Sequence, residues 1–256
     1  MSTLQSFRGQ RICLVGSTSG IARATARELA ARGAILHLGA RDLEEARRDA
    51  VDLEVRSGMP VSVGCFQALD LASHMAFLAE ARQRMGGLDG VLVTFGILGD
   101  QERARRDFSY ARQIMDLNFL APASVLSHAA AMLEDQGTGG ILVALGSVAG
   151  DRGRFSNYTY GSAKAGLHAY LQGLRARLAA TGIRVLTVKP GPVDTPMTFG
   201  MGFPGGRLMT RPEVVARGIV RAMERGNEVV YVPCFWSLIM GVLKAIPEAL
   251  FKRMKL

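Results

Sequence analysis

Tyr160 and Lys164 stand four residues apart in the run Tyr160-Gly161-Ser162-Ala163-Lys164, thirteen residues after Ser147. If this run opens a helix, the phenol and the ammonium share one face, a single turn apart. A free phenol titrates near pH ~10, so it needs a cation at hand to give or take a proton near neutrality. Lys164 can supply that field, Ser147 can hydrogen-bond a carbonyl or alcohol oxygen, and Tyr160 can pass the proton. Asn118, on the preceding long helix, can hold a water in the proton relay. Taken singly, a serine at a strand end reads as a turn and a Tyr/Lys pair on a helix as a surface contact. The combination at strand ends is what points to chemistry.

A second constellation lies at the start of the chain. Directly after the first apolar run comes Gly16-Ser17-Thr18-Ser19-Gly20-Ile21-Ala22, which opens a helical stretch. A turn poor in side chains lets backbone N–H groups and a helix N-terminus approach a pyrophosphate, so Gly16, Ser17, Thr18, Ser19, Gly20 and Ile21 are candidate dinucleotide contacts. The spacing G-x-x-x-G-x-A is wider than the common fingerprint, and glycine also serves a strand-to-helix turn for geometric reasons alone. The second strand ends Gly39-Ala40-Arg41-Asp42, with a small residue where an acid would bind the ribose hydroxyls of NAD, and a cation beside it. The planar fork of Arg41 suits a 2'-phosphate, which predicts NADP(H) in preference to NAD(H). The alternative leaves Arg41 solvated and Asp42 capping the next helix. Asp70 and Leu71 after the third strand and Gly96 after the fourth fall where such a sheet meets its ligand.

The elements that must position these groups alternate along the chain. Short aliphatic runs at Ile12–Val15, Ile35–Leu38, Val61–Phe66, Gly90–Thr94, Ile141–Leu145, Val185–Val188 and Val229–Val232 predict seven strands. Between them, stretches such as Ala22–Arg32 and Glu44–Gly58 carry Ala, Leu, Arg and Glu at helical spacing. The pattern predicts a doubly wound α/β fold, a parallel seven-stranded sheet of Rossmann type with helices on both faces. With no repeat, low-complexity tract or linker, residues 1–256 read as one domain ending in an apolar, basic segment, 235–256.

Composition bounds the rest. With 48% hydrophobic and 21% charged residues among 256, disorder, collagen and coiled coil are excluded. An excess of 31 Lys+Arg over 22 Asp+Glu gives a net charge of +9, which fits a phosphorylated cofactor, a lipid surface or nucleic acid. Cys13, Cys65 and Cys234 lie far apart, as expected of small core residues in a reducing compartment. The N-terminus lacks an apolar signal core and no stretch is long and uncharged enough to span a bilayer, so a cytoplasmic protein is expected. His37, His74, His128 and His168 show no ligand-like pairing, so no metal is expected.

Over essentially its whole length the chain resembles the short-chain dehydrogenase/reductase family. The residues that carry the resemblance are the Gly16/Gly20 turn, Asp70, Asn118, Ser147, Tyr160, Lys164 and Pro190-Gly191-Pro192-Val193-Asp194-Thr195. It implies NAD(P)-dependent oxidoreduction, a tetrad of Asn118, Ser147, Tyr160 and Lys164, and a stretch with Pro190, Gly191, Val193 and Thr195 over the nicotinamide. It also implies a homo-oligomer, with the helices Ser109–Asp135 and Asn157–Thr181 forming the contact. Departures are Val15 for Thr, Ala22 for a third Gly, and Val93-Thr94-Phe95-Gly96 for Asn-Asn-Ala-Gly, which predicts loss of polar support in the central sheet.

Three features bear on substrate. Arg152 and Arg154, with Arg103, Arg105 and Arg106, place cations near the pocket mouth, either facing a substrate phosphate or solvated. Met197–Pro204 combines glycines with soft apolar side chains, as suits a lid over a greasy ligand. The tail from Phe235 is dense in apolar residues and bears cations, as suits a membrane interface or a neighbouring subunit. Phe95–Asp100, Arg152–Lys164 with Asn157, and the tail resemble the decaprenylphosphoryl 2-keto-pentose reductase branch. That likeness implies reduction of a lipid-linked keto-sugar in arabinose donor synthesis beside a flavoprotein oxidase, with peripheral contact at the inner face of the cell membrane. The alternatives are a short-chain reductase of a soluble or acyl ketone, and a non-catalytic nucleotide- or nucleic-acid-binding protein. No helix-turn-helix or aromatic RNA platform favours the last, so no nucleic acid partner is expected.

Overall fold

The computed structural model describes residues 6–198 and 208–254. Seven strands form one parallel sheet: β1 (Arg11–Val15), β2 (Ile35–Ala40), β3 (Val61–Cys65), β4 (Gly90–Val93), β5 (Gly140–Leu145), β6 (Ile183–Pro190) and β7 (Val229–Val232). Their order is β3-β2-β1-β4-β5-β6-β7. The order reverses between β1 and β4, and in an open α/β sheet ligands bind beyond the carboxyl ends of the strands at that switch. Val15 pairs with Val93, Val93 with Ala144, and Leu145 with Val188, so β1, β4 and β5 end within a residue of one another and β6 runs two residues further.

Alternation along each strand divides the core in two. Ile12 and Leu14 of β1 face a layer containing α1 (Gly20–Ala30) and α8 (Pro212–Arg225), whereas Cys13 and Val15 face one containing α3 (His74–Met85), α6 (Ala121–Gln136) and α7 (Tyr158–Arg177). A strand buried on both faces needs apolar residues throughout, which is why β1 and β4 read as unbroken aliphatic runs.

Local signals set the helix boundaries. Helix α1 begins two residues before the expected Ala22 because the Ser19 hydroxyl caps it, accepting from the N–H of Ala22 at 3.2 Å. Asp42 caps α2 (Leu43–Ser57) by accepting from the N–H of Glu45 at 3.0 Å. The expected helix Ser109–Asp135 is not uniform. It comprises α5 (Phe108–Met115), a π-helical turn Asp116–Leu120 and α6, and Asn118 sits in the widened turn. A short helix, α4 (Gln101–Arg106), precedes it, and α9 (Trp236–Ala245) and α10 (Glu248–Phe251) end the described chain. Among the described residues no helix is long and apolar enough to cross a membrane.

Two expectations are corrected. Cys13 is buried, but Cys65 and Cys234 are exposed, because each sits at the end of a strand or in the turn beyond it. Polar support in the central sheet is retained, because the Thr94 hydroxyl donates to the carbonyls of Val15 at 2.8 Å and Gly16 at 3.1 Å. A threonine does in this chain what the missing asparagines were expected to do. Of the expected lid, residues 199–207 lie outside the described part.

Candidate active site

Four glycines show how tightly the strand ends converge. Gly16 has φ +85, and a Cβ there would lie 2.6 Å from the Cβ of Phe95, so only glycine lets the turn after β1 meet the chain after β4. A Cβ at Gly20 would touch the Thr195 methyl at 3.4 Å, which brings the Pro190–Thr195 stretch against the N-terminus of α1. A Cβ at Gly96 would stand 2.5 Å from the Asn118 carboxamide oxygen and 3.5 Å from Lys164 Nζ. At Gly191 it would collide with the Trp236 indole. The glycine turn, the β4 end, Asn118, Lys164 and the Pro190–Thr195 stretch thus occupy one rim of the sheet.

The turn after β1 fits a dinucleotide phosphate on two counts. Its glycine keeps the backbone bare, and Ser17 Oγ is buried without a hydrogen-bond partner, as a hydroxyl awaiting an acceptor would be. Thr195 is held by its own loop, its hydroxyl donating to the Val193 carbonyl at 3.3 Å, and Val193 pairs with Thr210. Arg41 is exposed just past β2, while the neighbouring Asp42 is occupied as a cap. Asp70 and Leu71 are exposed past β3, and the Asp70 carboxylate makes no capping bond.

Two of the candidate residues sit on α7. Helix α7 begins at Tyr158, so Tyr160 and Lys164 do share a face, with Lys164 Nζ 5.8 Å from the centroid of the Tyr160 ring. Lys164 is buried and donates to the Leu145 carbonyl at 2.8 Å. Burial pushes its ammonium down to about 8, since the charged form loses its hydration. Burial pushes the Tyr160 phenol up, while the hydrogen bond with Ser147 and then the charge of Arg154 pull it back. Ser147 Oγ also accepts from the N–H of Ala149 at 3.1 Å, which fixes the serine at the start of a 3₁₀ turn, Val148–Gly150. The Asn118 carboxamide donates to the carbonyls of Ile97 at 2.7 Å and Ile114 at 2.8 Å, so its side chain ties the chain after β4 to the π-helical turn.

Several contributors were not visible in sequence. Gln101 grips the first turn of α7 through both ends of its carboxamide, its oxygen accepting from Thr159 N–H at 2.9 Å and its nitrogen donating to the Thr159 hydroxyl at 3.0 Å. Behind Ser147 lies a buried cluster centred on Asp151, which is 3% exposed. Its carboxylate accepts from Lys189 Nζ and from the Tyr231 hydroxyl, both at 2.6 Å, and lies 3.5 Å from His168 Nδ1. The other ring nitrogen of His168 accepts from the Ser147 N–H at 3.4 Å, which joins the cluster to the catalytic strand end. Burial, and next the Lys189 charge, push His168 down to about 3, so it is a neutral acceptor. These partners come from β6, β7 and α7, and no local spacing announces them.

A cavity of about 400 Å³ opens among Gly96, Ile97, Leu98, Gly99 and Met197, beside the tetrad. A larger hollow of about 590 Å³ lies at the opposite strand ends around Arg11 and Gln136. The smaller cavity is the one that adjoins the candidate residues, since its lining residue Gly96 abuts Asn118 and Lys164.

The chain belongs to the short-chain dehydrogenase family, whose pattern it matches over residues 10–201. It is therefore an oxidoreductase of that family, and the reading as a non-catalytic binding protein falls. It is 40% identical over 246 residues to an uncharacterised oxidoreductase of Streptomyces coelicolor, with 95% of each chain covered. It is 32% identical to a cis-4-hydroxycyclohexanecarboxylate dehydrogenase of Sinomonas cyclohexanicum, covering 84% of this chain and 89% of that one. Levodione reductase has the same fold at 23% identity, TM-score 0.80, over 91% of this chain and 99% of that structure.

Proposed function

We propose that the protein reduces a ketone to a secondary alcohol with NADP(H), and that Asn118, Ser147, Tyr160 and Lys164 perform the proton half of the reaction. The observation that carries this reading is the shared α7 face of Tyr160 and Lys164 beside Ser147 and the bare Gly16 turn. A reduced nicotinamide, when bound, supplies a hydride to the carbonyl carbon. Ser147 donates to the carbonyl oxygen, Tyr160 delivers the proton that completes the alcohol, and Lys164 holds the phenol ready by its charge. Asn118 serves the relay through its main chain, since its carboxamide is taken up by Ile97 and Ile114. Gly16 to Ile21 receive the pyrophosphate, Asp70 and Leu71 flank the adenine, and Gly96, Pro190, Gly191, Val193 and Thr195 line the nicotinamide. Arg41 meets the 2'-phosphate, the feature that favours NADP(H).

The finer substrate is the 2-keto-pentose of a polyprenyl-phosphoryl sugar, supplied by a flavoprotein oxidase. What supports it is the sequence likeness together with the tail, where Leu238, Val242, Leu250 and Met254 are exposed among the exposed cations Lys244, Lys252 and Arg253. Such a face suits the inner surface of the cell membrane, with the enzyme a cytoplasmic homo-oligomer. A second reading, a small cyclic ketone, draws on the name of the Sinomonas relative. Oxidation of NADPH with polyprenyl-phosphoryl keto-pentose against 4-oxocyclohexanecarboxylate separates them: turnover of the lipid-linked sugar supports the first, and turnover of the cyclic ketone alone removes it.

A further inference from the structure

The arginines expected at the pocket mouth have unlike surroundings in the fold. Arg152 is fully engaged by the tail, donating to the Lys244 carbonyl and the Glu248 carboxylate, both at 3.0 Å, with its guanidinium 4.3 Å over the Phe251 ring. Arg103 lies 4.0 Å over Tyr110 and 3.8 Å from Asp107, and Arg105 pairs with Glu102 at 2.6 Å. Arg154 is half-buried, and among the described residues no carboxylate, carbonyl or ring partners its guanidinium. Its Nε is sealed from solvent with no acceptor. On the same turn Asn157 Oδ1 is likewise enclosed with no donor.

A guanidinium nitrogen enclosed without an acceptor is costly, and so is an enclosed amide oxygen without a donor. Burial accordingly lowers the Arg154 pKa. The turn that carries both groups runs between Ser147 and Tyr160, and the charge of Arg154 acts on the Tyr160 phenol. A deficit of one acceptor and one donor on the turn that leads into Tyr160 matches the complementary half of a ligand.

We propose that Arg154 is a specificity-determining residue that grips an anionic group of the substrate, a phosphate or a carboxylate, while Asn157 accepts from a hydroxyl of the same molecule. This assignment rests on the ketone-reductase reading and narrows its substrate class to polar ketones bearing an anion. The planar fork of the guanidinium offers two parallel hydrogen bonds to either anion, and a neutral ketone leaves the arginine uncompensated.

The test compares wild type with Arg154→Gln in NADPH oxidation, using 4-oxocyclohexanecarboxylate against 4-methylcyclohexanone and ribulose 5-phosphate against ribulose. The expected result is that wild type prefers the charged member of a pair, and that the charged-to-neutral ratio of kcat/KM falls at least tenfold in Arg154→Gln, chiefly through KM. The pair that responds identifies the anion as carboxylate or phosphate, and Arg154→Lys, which keeps the charge without the fork, recovers part of the ratio. Equal loss for charged and neutral ketones, with a displaced pH profile, would make Arg154 only a modulator of Tyr160 and overturn the proposal. A thermal titration of the NADPH-loaded protein with inorganic phosphate and with acetate is read independently of turnover. An anion should raise the Tm of wild type and not of Arg154→Gln, and a flat response in wild type overturns the assignment. Should no ketone be reduced, the reductase reading fails by itself and this titration decides the anion site.

Discussion

Two polar regions flank Ser147, and they are built on opposite principles. Behind it, Asp151 is met by Lys189 and Tyr231 with His168 alongside, so every buried charge has a counterpart within the protein. In front of it, the Arg154–Asn157 turn leaves a donor and an acceptor enclosed and unmatched. The contrast separates charge that holds a structure from charge that awaits a ligand. The closed cluster fixes the backbone of Ser147 and the start of the 3₁₀ turn, whereas the open turn keeps a donor and an acceptor that, on our proposal, a substrate completes.

Breaking the closed side should have the larger effect. Asp151→Ala leaves the Lys189 ammonium buried without a partner and should lower unfolding stability by about 3–5 kcal/mol in urea titrations. A loss below about 1 kcal/mol would mean that the cluster is not structural. A second open cation comes next. Arg41→Ala should weaken NADPH binding by about 1.5–3 kcal/mol, roughly ten- to hundredfold, with NADH affinity unchanged, as read by nucleotide fluorescence titration. Equal weakening of both nucleotides would remove the 2'-phosphate assignment. On the open turn, Arg154→Met should stabilise the cofactor-free protein by about 1 kcal/mol, since a half-buried, uncompensated charge is removed. Calorimetry showing a lower Tm would place Arg154 with the structural charges instead.

A separate effect is one of pH. Burial pushes His37 down to about 4 and His168 down to about 3, so both stay neutral in the fold while the unfolded chain binds protons near pH 6.5. Stability is therefore present above pH 6.5 and is lost as pH falls from 6.5 toward 4 and below. The urea midpoint should be lower at pH 5 than at pH 7, and a flat midpoint would show that these imidazoles are not held neutral.

Most of the scaffold was legible because periodicity and turn chemistry are local. Seven aliphatic runs marked the strands and Asp42 the start of α2, whereas the cap at Ser19 was not read and α1 begins two residues early. The pairing of Tyr160 with Lys164 on one helix face was legible because the two lie a turn apart. The Asp151 cluster was not, since its members are separated by up to 80 residues and meet only when β6 and β7 pair. The same holds for Arg152 and Arg154, which look equivalent in the sequence. The fold assigns one to the tail and leaves the other beside the phenol. Thr94 escaped notice because a hydroxyl bonding across from β4 to the end of β1 requires a register that the sequence alone does not state.

The role of the phenol is tested most directly by Tyr160→Phe, which removes one oxygen from a ring packed among Ala104, Ala111 and Ile114. Ketone-dependent NADPH oxidation should fall by about 10²–10⁴-fold while NADPH affinity and Tm stay at wild-type values. Turnover within a few-fold of wild type would show that the proton reaches the substrate by another route.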